Sequence, residues 1–308
     1  MEPREDSDVS PPTSATPLVG TAPVNWNNDD LPGWRTPVPF LAMLDEMAAA
    51  GYEGTEFGAD FFRDIAQLRS ELGQRQLRLA GSYQWLHLRD HEILEQEMVA
   101  LSDTLEILVG CGSRDLIVAD AMSPHRIAIA GQVPADGNAG LDDDGWNLLS
   151  SGLRLVSEQA TAQGVQVHYH NHVGTYVETP AEVDRLLLET TGDDLDLCFD
   201  TGHFAYGGGD PTAFILEHRD RIGYLHLKDV SETVLEEAKR QRWSFLDALR
   251  QIIFCEFGEG IVDIPQVIAA LRSGGYSGWV IVEQDTSSRP STESSTASRA
   301  FLRNRCGL

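Results

Sequence analysis

A (β/α)₈ barrel is the fold that this 308-residue sequence predicts. Short apolar runs alternate with amphipathic segments along most of the chain, about eight times, as such a barrel requires. Residues able to do chemistry (Glu56, His170, Asp200, His226 and Glu283) stand where those runs end. No Gly-x-Gly-x-x-Gly opens a helix after a strand, which makes a dinucleotide-binding fold the weaker alternative.

The first strand is expected over Val19 to Val24, ending in the polar stretch Asn25 to Asp30. Pro39 to Ala50 reads as a helix, with Phe40, Leu41, Leu44 and Met47 on one face and Gly51 to stop it. Tyr52 to Phe57 is the second strand and Asp60 to Gln74 its helix, periodic through Phe62, Ile65, Leu68 and Leu72. Leu77 to Trp85 and His91 to Leu108 form the third unit. Leu116 to Ala119 is the fourth strand, followed by a long helix over Asp142 to Gln163. Gly164 to His170 is the fifth, and Pro180 to Thr190 a helix with proline near its start. Leu195 to Asp200 with Pro211 to His218, then Ile222 to Leu227, continue the alternation. Helix Pro265 to Arg272, strand Trp279 to Glu283 and a last helix over about Glu293 to Arg303 complete it. The seventh connection, Asp229 to Ile264, is long and holds a helix-like segment, Trp243 to Ile253. Connections of that kind shape active sites. The expected domains are a disordered Ser/Thr/Pro-rich tail over residues 1–17 and one barrel over residues 18–308.

The chain carries 23 basic and 48 acidic residues, a formal charge of −25. That field repels nucleic-acid phosphates and anionic membranes, so neither is an expected partner. No apolar run reaches the ~18 residues of a membrane span, and the N-terminus lacks the basic and apolar regions of a signal peptide. Cys111, Cys198, Cys255 and Cys306 have no paired spacing, as reduced thiols in a cytoplasm would not.

His168-Tyr169-His170-Asn171-His172 closes the fifth apolar run. Alternation along a strand puts the three imidazoles on one face. They lie at different heights and cannot all reach one ion. His170 is favoured because it ends the run, with His168 and His172 left as alternatives or as donors around it. Asp200, His226 and Glu283 stand at the same barrel end on other strands. Two imidazoles with two carboxylates suit manganese, cobalt, iron or zinc and are too nitrogen-rich for calcium.

The segments Trp26-Asn27-Asn28-Asp29-Asp30, Gly54-Thr55-Glu56-Phe57-Gly58, His170-Asn171-His172-Val173-Gly174-Thr175, Phe199-Asp200-Thr201-Gly202-His203, His226-Leu227-Lys228-Asp229 and Val282-Glu283-Gln284-Asp285 occur in that order. Together they resemble the myo-inosose-2-dehydratases of the xylose-isomerase-like sugar isomerase and epimerase superfamily, from about Gly20 to the end. Two stretches depart from the family: Glu256 to Gly260 replaces its Pro-Gly-Asp-Gly, and Tyr83 to Pro124 matches only loosely.

The resemblance implies a metal-dependent lyase that dehydrates a cyclic polyhydroxy ketone such as 2-keto-myo-inositol. By position, His170, Asp200, His226 and Glu283 become the metal ligands, with Mn²⁺ or Co²⁺ expected and Mg²⁺, Fe²⁺ or Zn²⁺ as alternatives. His170 stands where related epimerases place a Glu, which removes one of their two bases and tilts the chemistry towards elimination. Glu283 or a nearby His is the expected base, and His172 or Lys228 the acid or electrostatic helper. Asn27, Asp29, Asp30 and Glu56, with His168 and His203, are expected to hold the substrate. Other expectations on this scaffold are a ketose epimerase or isomerase, or one subunit of a hetero-oligomeric sugar-processing enzyme. A homo-oligomer is expected by analogy with the superfamily.

Overall fold

The computed structural model describes residues 16–192 and 195–308. Most of the expected tail therefore lies outside the described residues. The barrel strands are β1 (Leu18–Thr21), β2 (Gly54–Phe57), β3 (Arg78–Leu86), β4 (Asp115–Asp120), β5 (Gln166–His170), β6 (Leu195–Asp200), β7 (Ile222–Leu227) and β10 (Trp279–Val282). They close in the order β1-β10-β7-β6-β5-β4-β3-β2, with every pair parallel. The expected fold is present.

Helices α1 (Phe40–Ala50), α2 (Ile65–Gln74), α3 (His91–Cys111), α4 (Pro124–Ala128), α5 (Asp143–Thr161) and α6 (Pro180–Glu189) cover one part of the barrel. The rest is covered by α7 (Thr201–Tyr206), α8 (Pro211–His218), α9 (Glu232–Gln241), α10 (Phe245–Arg250), α11 (Ile264–Ser273) and α12 (Ser291–Phe301). The strands' outward apolar side chains pack on these helices in one large core. A smaller cluster, including Ala80, Ile117, Cys198, Tyr224 and Ile281, fills the barrel interior. Space there is tight: a Cβ on Gly54 would come within 2.6 Å of the Trp279 ring and 2.7 Å of the Arg78 carbonyl oxygen.

Three local differences from the sequence expectation bear on the site. Helix α2 starts at Ile65 instead of Asp60, because the Asp64 side chain accepts from the Gln67 amide and caps it there. Residues 58–64 are thereby free to form a wall of the active-site cavity. The short helix α7 follows β6 directly, ahead of the helix expected over Pro211 to His218. In the long seventh connection, strands β8 (Asp229–Val230) and β9 (Phe254–Cys255) form an antiparallel ribbon around α9 and α10. The buried Asp229 carboxylate organises it, accepting from the amides of Val230, Gly258, Gly260 and Val262.

Candidate active site

Strand register sets the height of the site. Asp200 pairs with His226, and Val282 with Leu227, so Glu283 follows one residue beyond its strand. His170, Asp200, His226 and Glu283 converge at the C-terminal mouth, where barrels of this kind place their chemistry. One ligand atom from each lies within 4.8 Å of all the others. The closest approaches are His226 Nδ1 to Glu283 Oε2 at 3.3 Å and His170 Nε2 to Asp200 Oδ2 at 3.4 Å.

This donor set fits a divalent metal. His170 Nε2, Asp200 Oδ2 and His226 Nδ1 are buried and have no hydrogen-bond partner among the described residues. Such groups are costly unless something binds them. On its far side, His226 Nε2 bonds Glu56 Oε1 at 2.8 Å. That contact fixes the ring and leaves Nδ1 with a lone pair towards the cluster, as outer carboxylates do for histidine ligands. Burial acts to lower the His226 pKa, but Cys198, Glu283 and Glu56 outweigh it and hold it well above the ordinary imidazole value. The pocket thus attracts positive charge, and a metal cation would compete with that proton. Burial also pushes His170 down, to about 4, so that ring is neutral at ordinary pH.

Lys228, just past β7, is buried among carboxylates. Its Nζ lies 2.7 Å from Glu283 Oε2, 3.1 Å from Asp285 Oδ1 and 3.3 Å from Asp200 Oδ2. Burial would lower its pKa, but Asp200, Asp285 and Glu283 raise it well above the usual lysine value. Nζ also donates to His203 Nε2 at 3.1 Å.

His172 lies on the cavity wall. Its Nδ1 donates to the Val173 carbonyl at 2.6 Å, so Nε2 carries the lone pair. Its ring packs on His203, with centroids 3.8 Å apart. The loop that carries it is braced: Glu178 accepts from the amides of Gly131 and Gly174, and Arg126 bonds both oxygens of Glu182.

The cavity over these groups has a volume of about 790 Å³ and is lined by Asp29, Asp30, Glu56, Tyr83, Trp85, His170, His172, Lys228, Glu283 and Asp285, among others. Of the expected substrate contacts, the structure sets His168 and His203 outside the cavity and keeps Asn27 and Glu56 on its wall with polar atoms already engaged. His168 lies one layer deeper, its Nε2 bonded at 2.8 Å to Asp115, the first residue of β4, and so it faces the opposite end of the barrel. His203 lies behind His172 and Lys228 and does not line the cavity. The Asn27 side chain reaches the cavity wall, but its amide is spent on both backbone groups of Val38. Glu56 lines the cavity, yet its carboxylate accepts from His226. Asp285 was absent from the expected set. Its signal was present: two residues past Glu283, it falls on the same face of an extended chain.

Residues 44–305 match the family model of the xylose isomerase-like TIM barrel. The chain is 34% identical over 270 residues to the inosose dehydratase of Lacticaseibacillus casei, covering 87% of this chain and 89% of that one. It is 31% identical over 295 residues to the inosose dehydratase of Clostridium botulinum, covering 94% and 97%. Identity to the rhizopine catabolism protein MocC of Rhizobium meliloti is 36% over 267 residues, covering 87% and 81%. Among solved structures, an IOLI protein with a bound zinc atom is similar in fold, with a TM-score of 0.72 at 13% identity over 94% of this chain and 98% of that one. A 3-keto-D-glucoside 4-epimerase from E. coli gives a TM-score of 0.69 at 16% identity, over 94% and 99%.

Proposed function

The chain belongs to the xylose isomerase-like TIM barrel family and, within it, to the inosose dehydratases; from that membership we propose that it is a metal-dependent hydro-lyase acting on an inosose. The observation that carries the reading is the four-residue cluster, three of whose residues present buried atoms without a hydrogen-bond partner, beside a buried charged lysine. The ligands are His170, Asp200, His226 and Glu283. Their mixed nitrogen and oxygen character supports Mn²⁺ or Co²⁺. When bound, the ion polarises the substrate ketone and offsets the negative charge that develops on its oxygen.

The chain's own residues then divide the proton work. Glu283 Oε2 is engaged by Lys228 and faces His226, which suits it to ligation. His172 Nε2 is an acceptor on the cavity wall, and we assign it the α-proton, although burial and the neighbouring His170 hold its pKa down at about 3. The C–H electron pair moves into the enolate. The β C–O bond breaks, and the departing hydroxyl takes a proton from the Lys228 ammonium and leaves as water. One proton has entered the protein and one has left it, so the charges balance. Asp29 and Asp30 line the cavity and are suited to accept from substrate hydroxyls. Because the β5 ligand is an imidazole, the second metal-bound carboxylate base of an epimerase is missing.

The test is turnover of 2-keto-myo-inositol by the Mn²⁺- or Co²⁺-loaded protein. Water loss gives an enolisable dione that absorbs in the near ultraviolet. Solvent-deuterium incorporation without water loss would instead identify an epimerase, and no turnover with metal bound would overturn both. We also place the protein in the cytoplasm, in line with its four unpaired cysteines.

A further inference from the structure

The cavity is larger than a single polyol ring needs. An inosose has about twelve non-hydrogen atoms, and even at the ~30 Å³ that each water takes in the liquid it would fill about 360 Å³. The cavity has about 790 Å³. Helix α2 begins late, so the cavity runs past residues 58–64 and along β3 to the middle of α3, where Asp103 and Thr104 line it.

That outer compartment has a defined chemistry. Trp85 is 37% exposed, and its ring is 6.3 Å from that of His172, so it stands where the reaction end meets the outer end. Asp60, Arg63, Gln84 and Asp103 line the same cavity and offer both donors and acceptors. Arg63 and Asp103 are exposed and form no ion pair among the described residues. Two carboxylates against one guanidinium, in a chain of net charge −25, disfavour an anionic substituent. An apolar substituent would strand the polar groups. A flat aromatic face with mixed donors and acceptors suits a neutral, hydroxyl-rich ring.

We propose that the compartment lined by Arg63, Trp85 and Asp103 is a second binding subsite, which accepts a glycosyl substituent carried on the cyclic ketone. The proposal rests on the inosose reading above and extends it to substituted rings. It makes the protein a dehydratase for inositol derivatives in which one hydroxyl bears a sugar.

The experiment is inhibition of inosose turnover by the metal-loaded wild-type protein, comparing myo-inositol with galactosyl-myo-inositol. The expected result is an inhibition constant at least tenfold lower for the galactosyl compound. R63A and D103A should bring the ratio of the two constants towards unity, with metal content unchanged. Equal or weaker inhibition by the galactosyl compound in the wild type would overturn the subsite while leaving the inosose reading intact. Retention of the full ratio in both variants would overturn the residue assignment. No turnover of inosose at all would remove the reading on which the subsite rests.

Discussion

His226 on β7 reaches across the barrel to Glu56 on β2, with Nε2 2.8 Å from Oε1. One residue thus presents a nitrogen to the metal-ligand cluster and is aimed by a carboxylate from a distant strand. Replacing Glu56 with Ala removes the acceptor and frees the ring to turn. E56A should weaken metal affinity about 10–100-fold, read by metal titration after chelation. E56Q, which keeps an acceptor oxygen, should lose less. Equal affinity in E56A and wild type would show that His226 needs no such support.

Asp200 serves two elements at once. Its Oδ1 accepts from the His203 amide at 2.7 Å and caps α7, while Oδ2 faces the ligand cluster. D200N keeps the cap and loses the charge, and D200A loses both. Both variants should lose metal affinity by more than roughly 100-fold and lose activity with it. Only D200A should also lose the cap's ~1 kcal/mol, visible as a drop of about 1.5 °C in the Tm of the metal-free protein. Activity retained in D200A would sink the ligand assignment.

The proton roles can be separated by isotope exchange. H172N should lose α-proton exchange with solvent and fall in kcat by about 10²–10⁴. K228M should keep that exchange while water release falls by about 10²–10³. Proton NMR of inosose in D₂O reads both steps. Loss of exchange in K228M with retention in H172N would reverse the assignment.

Asp120, at the end of β4, is fully buried and bonds Arg89 at 2.6 Å. Burial raises its pKa from 3.8 to about 6, although Arg89 opposes the rise. The folded state therefore holds this proton more tightly than the unfolded chain. The resulting stability is full below about pH 4 and is lost as pH rises to about 6. The shift corresponds to roughly 3 kcal/mol. The wild-type stability minus that of D120N, from urea unfolding, should fall across that window. A flat difference would mean that Asp120 titrates normally.

Asn25 ties the first strand to the last. Its Nδ2 donates to the Val282 carbonyl and to Thr21 Oγ1, and its Oδ1 accepts from the Gln284 amide. N25A leaves these buried groups unmatched and should cost about 3 kcal/mol, measured by chemical denaturation. A cost below about 1 kcal/mol would show that the barrel closes without it.

The barrel was legible because its strands are apolar runs at regular spacing, and β6, β7 and α8 fall on the residues expected of them. The segments that escaped are short or carry only a narrow apolar stripe. Helix α7 has six residues and includes Gly202, and α9 buries only Leu235 and Ala238. In the site, strand-end position was enough to find the four clustered side chains. Alternation alone puts His168 and His170 on one face, and only the end of the apolar run favoured His170. Nor could sequence show which polar side chains the protein has already used. Asn27 looked available, and its amide is committed to Val38.

The closure of the barrel by β10 has a consequence for biosynthesis. Lys228 is matched by Glu283 and Asp285, which lie just past this final strand, and β10 must slot between β1 and β7. A nascent chain stalled before Trp279 therefore carries an unclosed sheet with two open edges and an ammonium missing two of its counter-charges. Such a species is prone to aggregation. The reaction centre comes into being only once the ribosome has delivered β10 and the residues just past it.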